Sequence, residues 1–275
     1  MDHSQAKNSL LQFLSENDSV VVLSGAGVST ASGIPDYRDR NGEWKQSQPM
    51  QFGEFRSSDA ARRRYWARSY VGWQRFSRAQ PNAAHRALAE LESSGKVELL
   101  VTQNVDGLHD QAGSRSVVDL HGRLSKVRCI DCDATHERER YQQALERANL
   151  QWHAEVYRYK PDGDAVLAED SHENFSVPGC PSCGGTVKPD VVMFGESVPR
   201  SRVQRVLAAI DRAAALLVVG SSLMVYSGFR FARHASAGRK PIAIVNQGRT
   251  RADDIATLKI NQDCGTVLSA ALQVL

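Results

Sequence analysis

The 275-residue sequence predicts an α/β fold: a doubly wound parallel, Rossmann-like sheet interrupted by a second, smaller domain. Short apolar runs, typical of strands buried on both faces, alternate with stretches of helical periodicity. Two segments, 46–80 and 125–187, break this alternation. We therefore predict that residues 1–45, 81–124 and 188–275 form the sheet domain, and that the two other segments form the smaller domain.

The first predicted strand runs into a glycine-rich turn. Residues 20–23 are apolar and mostly β-branched, and Gly25, Ala26 and Gly27 follow them. Small residues there let the backbone approach a phosphate, which favours nucleotide binding. The usual dinucleotide fingerprint has a third glycine where Thr30 stands, and no acidic residue follows at the expected distance. The turn therefore differs from that of a dehydrogenase, and a tight turn without a ligand is the alternative.

Four further apolar runs are expected to end at the same edge of the sheet. Helical patterns such as "AAHRALAELESSG" and "SRVQRVLAAIDRAAA" lie between some of them. Open α/β sheets bind ligands at the carboxyl ends of their strands, so this edge is the predicted binding site. The five predicted strand ends fall after residues 23, 102, 120, 219 and 245.

Four of the five cysteines form two CxxC pairs, Cys129/Cys132 and Cys180/Cys183. Two such pairs in a reducing compartment most often supply the four thiolates of a tetrahedral zinc site. Residues 133–179 separate them, more than the common spacing of about 15–20 residues. A redox role for each CxxC is the alternative. A closed four-thiolate site leaves no position for water, so the predicted zinc is structural.

The segment "RRRYWARSYVGWQRF" is both basic and aromatic, which would suit a nucleic-acid surface. We predict instead an amphipathic helix whose aromatic side chains pack while its arginines face water. The net charge of +3 is too small to indicate nucleic-acid binding. No run approaches the length of a membrane span, so neither a nucleic-acid nor a membrane partner is expected.

The amino-terminal segment contains acidic residues, no arginine and no long apolar core. It resembles neither a secretory signal nor an organellar transit peptide. We expect a cytoplasmic protein, and a mitochondrial matrix location is the less favoured alternative.

Taken together, the motifs resemble the sirtuin family of NAD-dependent protein deacylases. The matching stretches are "GAGVSTASGIPDYR", "TQNVDGLH", "LHG", the two cysteine pairs, "KPDVVMFGE", "GSSL" and "NQG". They occur in the family's order over nearly the whole chain. Tyr37 in "PDYR", the long segment between the cysteine pairs and "QPNAAH" resemble the class II branch, which includes mitochondrial sirtuin four and many bacterial members.

The resemblance implies an enzyme that cleaves the bond between nicotinamide and ribose and transfers the acyl group of an acylated lysine to ADP-ribose. The products would be nicotinamide, the deacylated lysine and O-acyl-ADP-ribose. NAD would be a co-substrate, one zinc ion would be structural, and the protein partners would carry acyl-lysine. Protein mono-ADP-ribosyl transfer at the same site is one alternative. A zinc-stabilised NAD-sensing module without turnover is another, and the full set of Asn104, Asp106 and His121 argues against it.

The resemblance also implies roles for individual residues. His121 would be the general base, an imidazole being largely neutral at pH 7. Asn104 and Asp106 would position the nicotinamide amide and the ribose. The implied NAD-binding residues are Gly25, Ala26, Gly27, Ile34, Asp36, Arg38, Gln103, Asn104, Val105, Asp106, Gly220, Ser221, Ser222, Asn246, Gln247, Gly248 and Cys264.

The segment containing Val192, Gly195 and Glu196 matches the part of the family that pairs with the substrate backbone. Tyr65 and Arg68 lie three residues apart in the predicted helix, as in sirtuins that remove carboxylated acyl groups. They could offer a hydroxyl and a guanidinium to a carboxylate. The alternative is that Tyr65 packs in the core and Arg68 is solvated.

Overall fold

The computed structural model describes residues 1–45, 47–160, 162–168 and 171–272, which form two compact units. The large unit contains the described residues of Met1–Lys45, Gln80–Leu120 and Val198–Leu275. The small unit contains those of Gln46–Ala79 and His121–Ser197. The small unit takes in residues 121–124 and 188–197, which the predicted boundaries assign to the sheet domain. The reason is that strands Gly122–Cys129 and Val187–Val191 pair with each other.

The large unit is built on a six-stranded parallel sheet, which confirms the predicted fold class. Its strands are β1 (Val20–Ser24), β2 (Val97–Thr102), β3 (Val117–Asp119), β9 (Ala215–Val219), β10 (Ile242–Val245) and β11 (Leu258–Ile260). The labels β4 to β8 belong to strands of the small unit. The spatial order of the six strands is β11-β10-β9-β1-β2-β3, and every neighbouring pair is parallel.

Helices cover both faces of this sheet. Alternate residues of each strand point to opposite sides, so each strand contributes to two apolar clusters. Val20 and Val22 pack in one apolar cluster, whereas Val21 and Leu23 pack in the other. The first cluster includes buried residues of the helices His3–Glu16, Ala83–Ser93 and Cys264–Leu272, and the second includes residues of the helices Arg200–Arg212 and Tyr226–Ala237. The helices of this unit are α1 (His3–Glu16), α4 (Ala83–Ser93), α5 (Leu108–Gln111), α7 (Arg200–Arg212), α8 (Tyr226–Ala237) and α9 (Cys264–Leu272).

The glycine-rich turn after β1 does not lead into an α-helix. Two short 3-10 turns follow instead, at Ala26–Val28 and Thr30–Ser32. Gly33 ends the second turn in the left-handed conformation, with φ of 82°, and Pro35 follows two residues later. Glycine tolerates this conformation and proline restricts the residue before it, so the chain leaves helical geometry here.

The small unit combines a helical part with two small antiparallel sheets. The strands are β4 (Gly122–Cys129), β5 (Thr135–Glu137), β6 (Val156–Tyr159), β7 (Ala165–Leu167) and β8 (Val187–Val191). Three of them form one sheet in the order β5-β4-β8, and β6 pairs with β7 in the other. The helices are α2 (Phe52–Ser57), α3 (Asp59–Phe76) and α6 (Arg138–Ala148).

The basic and aromatic segment forms α3, as predicted. Trp66 is fully buried, and its indole Nε1 donates a hydrogen bond to the Val187 carbonyl at 3.1 Å. The guanidinium of Arg138 is also buried and lies 5.3 Å from the Trp66 ring and 5.0 Å from the Trp73 ring. Contact with aromatic faces stabilises a cation that is removed from water. The aromatic side chains of α3 therefore organise the core of this unit.

None of the helices in the described ranges combines the length and the apolar character needed to cross a membrane.

Candidate active site

The carboxyl ends of β1, β2, β9 and β10 carry the segments that the sequence predicts to bind NAD. Adjacent parallel strands bring Ser24 opposite both Thr102 and Val219, and Val245 opposite Val219. The loops that follow these four strands therefore all lie at one edge of the sheet. They contain residues 25–38, 103–106, 220–222 and 246–248. This is the edge at which open α/β sheets bind their ligands.

The glycines of the first turn allow close packing between two loops. A Cβ atom added to Gly25 would lie 2.7 Å from Ser221 Cβ, and one added to Gly27 would lie 2.9 Å from the Gly220 carbonyl oxygen. The amide of Gly25 donates to the Val219 carbonyl at 3.1 Å, and that of Gly27 to the Gly220 carbonyl at 2.8 Å. These two amides bond to the protein backbone, so the direct role of both glycines is loop packing.

Asn104 and Asp106 are linked through Ser29. The Asn104 side-chain amide donates to the Gly25 carbonyl at 3.1 Å and to Ser29 Oγ at 3.0 Å. Ser29 Oγ in turn donates to Asp106 Oδ2 at 2.7 Å, and Asp106 Oδ1 accepts from the Leu108 amide. Ser29 is buried whereas Asn104 and Asp106 are half-buried, so this network fixes both side chains beside the glycine turn. Ser29 was absent from the predicted site, although it lies within the quoted "GAGVST" motif.

Gln103 joins the loops that follow β2 and β9. Its side-chain amide donates to Ser221 Oγ at 2.8 Å, and Ser221 Oγ also accepts the Leu223 amide at 3.2 Å. A Cβ atom at Gly228 would lie 2.3 Å from Gln103 Oε1, so a larger residue there would displace the Gln103 side chain. The structure therefore brings Gln103 and Ser221 together. The next residue, Ser222, accepts a hydrogen bond at its carbonyl from the amide of Arg251 at 2.8 Å.

Ile34, Asp36 and Arg38 lie on the long connection after the 3-10 turns. Ile34 is buried, and Asp36 forms an ion pair with Lys45. Arg38 donates to the Gly42 carbonyl at 2.7 Å, and its guanidinium lies 4.0 Å from the Trp44 ring. These contacts hold the connection as a folded loop of the large unit.

The remaining residues predicted to bind NAD follow β10 or begin α9. Asn246 is buried, and its side-chain amide donates to the Gln247 carbonyl at 2.9 Å. Gly248 has φ of +86°, and its amide donates to Asn261 Oδ1 at 2.7 Å. The Cys264 thiol lies 3.7 Å from the Gly27 carbonyl, and burial raises its pKa to about 12. Cys264 is therefore a neutral thiol that packs beneath the glycine turn.

His121 is the first residue of the small unit and directly follows Leu120 in the chain. The Leu120 amide donates to the Thr102 carbonyl at the end of β2, at 2.9 Å. Within the small unit, the His121 carbonyl accepts the amide of Val192 at 2.8 Å. The imidazole is half-buried. His121 therefore occupies the link between the end of β3 and the start of β4.

The predicted substrate segment 192–196 forms a tight turn. The Met193 amide donates to Glu196 Oε2 at 2.7 Å, and Lys188 Nζ contacts the same oxygen at 3.0 Å. Gly195 has φ of +87°, a conformation that favours glycine. The Phe194 carbonyl accepts the amide of Phe52 at 2.7 Å. Glu196 thus stabilises the turn that presents Val192 and Gly195.

Tyr65 is buried within the small unit, and Arg68 is half-buried. Their role as a receptor for a carboxylated acyl group stays a prediction, and the contacts of both side chains favour a structural role. Tyr65 is buried, with its ring 5.4 Å from Phe55 and 5.3 Å from Trp66. Arg68 Nε lies 3.6 Å from a carboxylate oxygen of Asp164, whose side chain is 2% exposed. Burial raises the pKa of Tyr65, and Asp164 raises it further. The structure agrees with the alternative prediction for Tyr65, which packs in the core. It differs for Arg68, which is paired with Asp164 rather than solvated.

The four paired cysteines form one cluster, with sulfur atoms within 4.8 Å of one another. Cys129 and Cys183 sulfurs lie 3.6 Å apart, and those of Cys132 and Cys180 lie 3.8 Å apart. Zn–S bonds of about 2.3 Å in a tetrahedron separate the sulfurs by about 3.8 Å, whereas a disulfide bond is about 2.05 Å long. The cluster therefore fits a zinc ion, and the redox alternative is not supported.

The sequence matches the Sir2 family over residues 25–227. The chain belongs to this family. Its sequence is 57% identical, over 257 residues and 94% of each chain, to an NAD-dependent protein deacetylase of Bordetella bronchiseptica. It is 47% identical over 262 residues to the human mitochondrial NAD-dependent protein lipoamidase sirtuin-4, covering 94% of this chain and 83% of the relative.

Solved structures of Sir2 enzymes show the same likeness. A complex of Sir2 with a p53 peptide and NAD+ superimposes with a TM-score of 0.76 at 32% identity, covering 97% of this chain and 95% of that chain. A Sir2 complex with a deacetylated p53 peptide and 3'-O-acetyl-ADP-ribose gives a TM-score of 0.77 at 31% identity, covering 97% of both chains.

Proposed function

We propose that this Sir2-family chain is an NAD-dependent protein-lysine deacylase that produces nicotinamide, the deacylated lysine and O-acyl-ADP-ribose. The enzymatic class follows from the deacetylase relatives and from the Sir2 complexes with NAD+, peptide and acetyl-ADP-ribose. Acylated lysine on protein is the substrate class.

The observation that carries the proposal for this chain is the Asn104–Ser29–Asp106 network beside Gly25. A site that only held NAD would need contacts to its phosphates and adenosine. An amide and a carboxylate fixed to one another by a buried hydroxyl suit a further task, namely orienting the nicotinamide and its ribose. Orientation of reacting groups is a major source of enzymatic rate.

Different residues of the chain have different roles in this reaction. When bound, NAD supplies the nicotinamide–ribose bond that breaks and the ribose carbon that accepts the acyl oxygen. Asn104 and Asp106 orient that ribose, and Gln103 contacts it. His121 accepts a proton from a ribose hydroxyl, for which a neutral imidazole is suited. Val192 and Gly195 offer backbone groups with which an extended substrate peptide can pair.

The zinc ion has no part in these steps. Cys129, Cys132, Cys180 and Cys183 would hold it in a closed site without a coordination position for water. When bound, it supplies cross-links between the loops that carry the two CxxC pairs.

His121→Ala tests the proposal, with the exposed His153→Ala as its matched control. Loss of a general base typically lowers the rate about 10²–10⁴-fold. We expect that loss in kcat for deacylation of an acyl-lysine peptide, with NAD affinity within a few-fold of the wild type. Turnover equal to the wild type in His121→Ala would refute the assigned base, whereas the His153→Ala enzyme should remain fully active.

A further inference from the structure

Two buried histidines, His85 and His109, lie together in the large unit and have no part in the reaction described above. Their side chains are almost completely inaccessible, and their rings lie 4.8 Å apart at an angle of 59°. Within the described parts of the chain, His85 Nε2 and His109 Nδ1 are buried without a hydrogen-bond partner. Buried polar atoms normally have partners, so these two nitrogens require an explanation.

The other nitrogen of each ring connects to the glycine-rich segment. His109 Nε2 lies 2.8 Å from the hydroxyl of Ser24, the last residue of β1. His85 Nδ1 accepts the backbone amide of Asn82 at 3.3 Å. The two histidines therefore connect the end of β1 with the residue that precedes α4.

Asn82 extends this connection to the far side of the glycine-rich segment. Its side-chain amide donates to the Val28 carbonyl at 2.8 Å and to Ser32 Oγ at 2.9 Å. Ser24 lies before the segment, and Val28 and Ser32 lie within the two 3-10 turns. The chain of contacts thus fixes the segment at its start and along its length.

The hydrogen bonds also determine where the protons lie. A backbone amide can only donate, so His85 Nδ1 is unprotonated and the neutral ring carries its proton on Nε2. Burial lowers the pKa of His85 to about 4, with a smaller contribution from Arg86, and lowers that of His109 to about 3, with a smaller contribution from His85. Both rings are therefore neutral at pH 7. If His109 donates through Nε2 to Ser24, its Nδ1 is an acceptor, which complements the Nε2–H of His85.

We propose that His85 and His109 form a neutral imidazole pair that positions the NAD-binding segment, with one water joining the Nε2–H of His85 to His109 Nδ1. The pair acts through Ser24 and Asn82, so both histidines are positioning residues. This inference rests on the proposed NAD site of residues 25–38. It predicts that loss of the pair impairs the use of NAD while leaving the use of the acyl peptide nearly unchanged.

Two substitutions of His109 separate a positioning role from simple packing. In His109→Gln, the side-chain amide lies near the former Nε2 and can still donate to Ser24. His109→Leu has similar bulk but no polar atom, which leaves the buried Ser24 hydroxyl without this partner. We expect the leucine variant to raise KM for NAD about 10-fold, with KM for the peptide changed less than about two-fold. The glutamine variant should restore most of the loss.

Equal effects of the two substitutions, or an unchanged KM for NAD in a folded His109→Leu enzyme, would overturn the proposal. A parallel rise in KM for the peptide would do the same. The exposed His153→Leu is the control for a histidine-to-leucine change elsewhere.

A measurement on the wild-type protein covers the case in which His109→Leu does not fold. Long-range ¹H–¹⁵N spectra distinguish neutral imidazole tautomers from the charged ring. We expect His85 and His109 to stay neutral and protonated on Nε2 from pH 8 to about pH 5. The exposed His3 and His153 supply reference signals in the same spectra. A charged ring at His85 or His109 above pH 5, or an Nδ1–H tautomer, would overturn the proposal. Because the spectra need no turnover, they separate failure of the pair from failure of the proposed enzymatic function.

Discussion

The strands of the two units are buried in different ways. In the large unit, β1, β9 and β10 are buried at every position, so their sequences read as continuous apolar runs. In the small unit, buried and accessible positions mix along β4, and no residue of β5 is buried. A parallel sheet covered on both faces obtains its stability from apolar burial, whereas the strands of the small unit bury much less.

The small unit compensates with two other sources of stability. Its core contains large aromatic side chains, among them Phe55, Trp66 and Tyr141, and it also includes Cys129 and Cys180. Two thiolate ligands therefore lie inside the same apolar cluster as the rings. The comparison indicates that metal binding and aromatic packing are coupled in the small unit, while apolar burial on both faces of the sheet dominates in the large unit.

Removal of zinc should have the largest predicted effect, because it should destabilise the small unit and not the large unit. Structural zinc contributes about 10–16 kcal/mol in zinc-finger peptides, so chelation should unfold the small unit. Three of the four tryptophans, Trp66, Trp73 and Trp152, belong to this unit, and near-UV circular dichroism will report its loss. The protein should contain one zinc per chain, and Cys264→Ser should leave that content unchanged. A chain with far less zinc and an intact near-UV spectrum would contradict this account.

Truncation of Trp66 tests the aromatic half of the comparison. Trp66→Ala should lower the free energy of unfolding by about 3–5 kcal/mol, because it opens a cavity and removes the hydrogen bond to Val187. Trp73 is half-buried, so Trp73→Ala is the matched control with a smaller expected loss. Urea unfolding followed by zinc release measures both. Equal losses in the two variants would show that the buried ring has no special role.

The loop packing of the large unit is tested by adding one methyl group. Gly27→Ala would bring Cβ to 2.9 Å from the Gly220 carbonyl oxygen, so the two loops must separate. We expect a cost of about 1–3 kcal/mol, measured as weaker NAD binding by calorimetry. Gly53 in α2 has no atom within 4 Å of an added Cβ, and Gly53→Ala should be neutral or stabilising. NAD affinity unaffected by Gly27→Ala would contradict the role given to the packed loops.

The smallest predicted effect concerns Asp106. Asp106→Asn replaces a carboxylate that accepts from Ser29 and from the Leu108 amide by a group with one acceptor oxygen. The affinity for NAD should fall by about 1 kcal/mol, and that for ADP-ribose, which lacks nicotinamide, should fall less. Isothermal titration with the two ligands measures this difference. Identical losses would mean that Asp106 does not serve the nicotinamide end.

Much of the large unit was predictable because its signals are local. The apolar runs gave strand ends after residues 23, 102, 120, 219 and 245, and the structure ends the corresponding strands within one residue of each. The cysteine cluster was predictable for the same reason, since two CxxC turns carry their own ligand spacing. Each strand end and each CxxC turn depends on residues close together in the sequence, although the two cysteine pairs are themselves far apart.

The remaining features depend on contacts between distant residues. Burial of Tyr65 and pairing of Arg68 with Asp164 require the β6–β7 hairpin, which no pattern near α3 indicates. The roles of Ser29 and of the Gly25 and Gly27 amides depend on loops far along the chain. No local pattern marks His85 or His109 as functional, because a histidine in an apolar setting carries no distinctive sequence signal. Periodicity cannot identify such long-range hydrogen bonds.

The stoichiometry of products tests the central claim most directly. The wild-type protein, incubated with NAD and a panel of acyl-lysine peptides, should release nicotinamide, deacylated peptide and O-acyl-ADP-ribose in equal amounts, as measured by mass spectrometry. The His121→Ala variant should form each of the three products far more slowly than the wild-type protein. Release of nicotinamide with ADP-ribose attached to protein, or NAD binding without any product from any peptide, would contradict deacylation as the function of this chain.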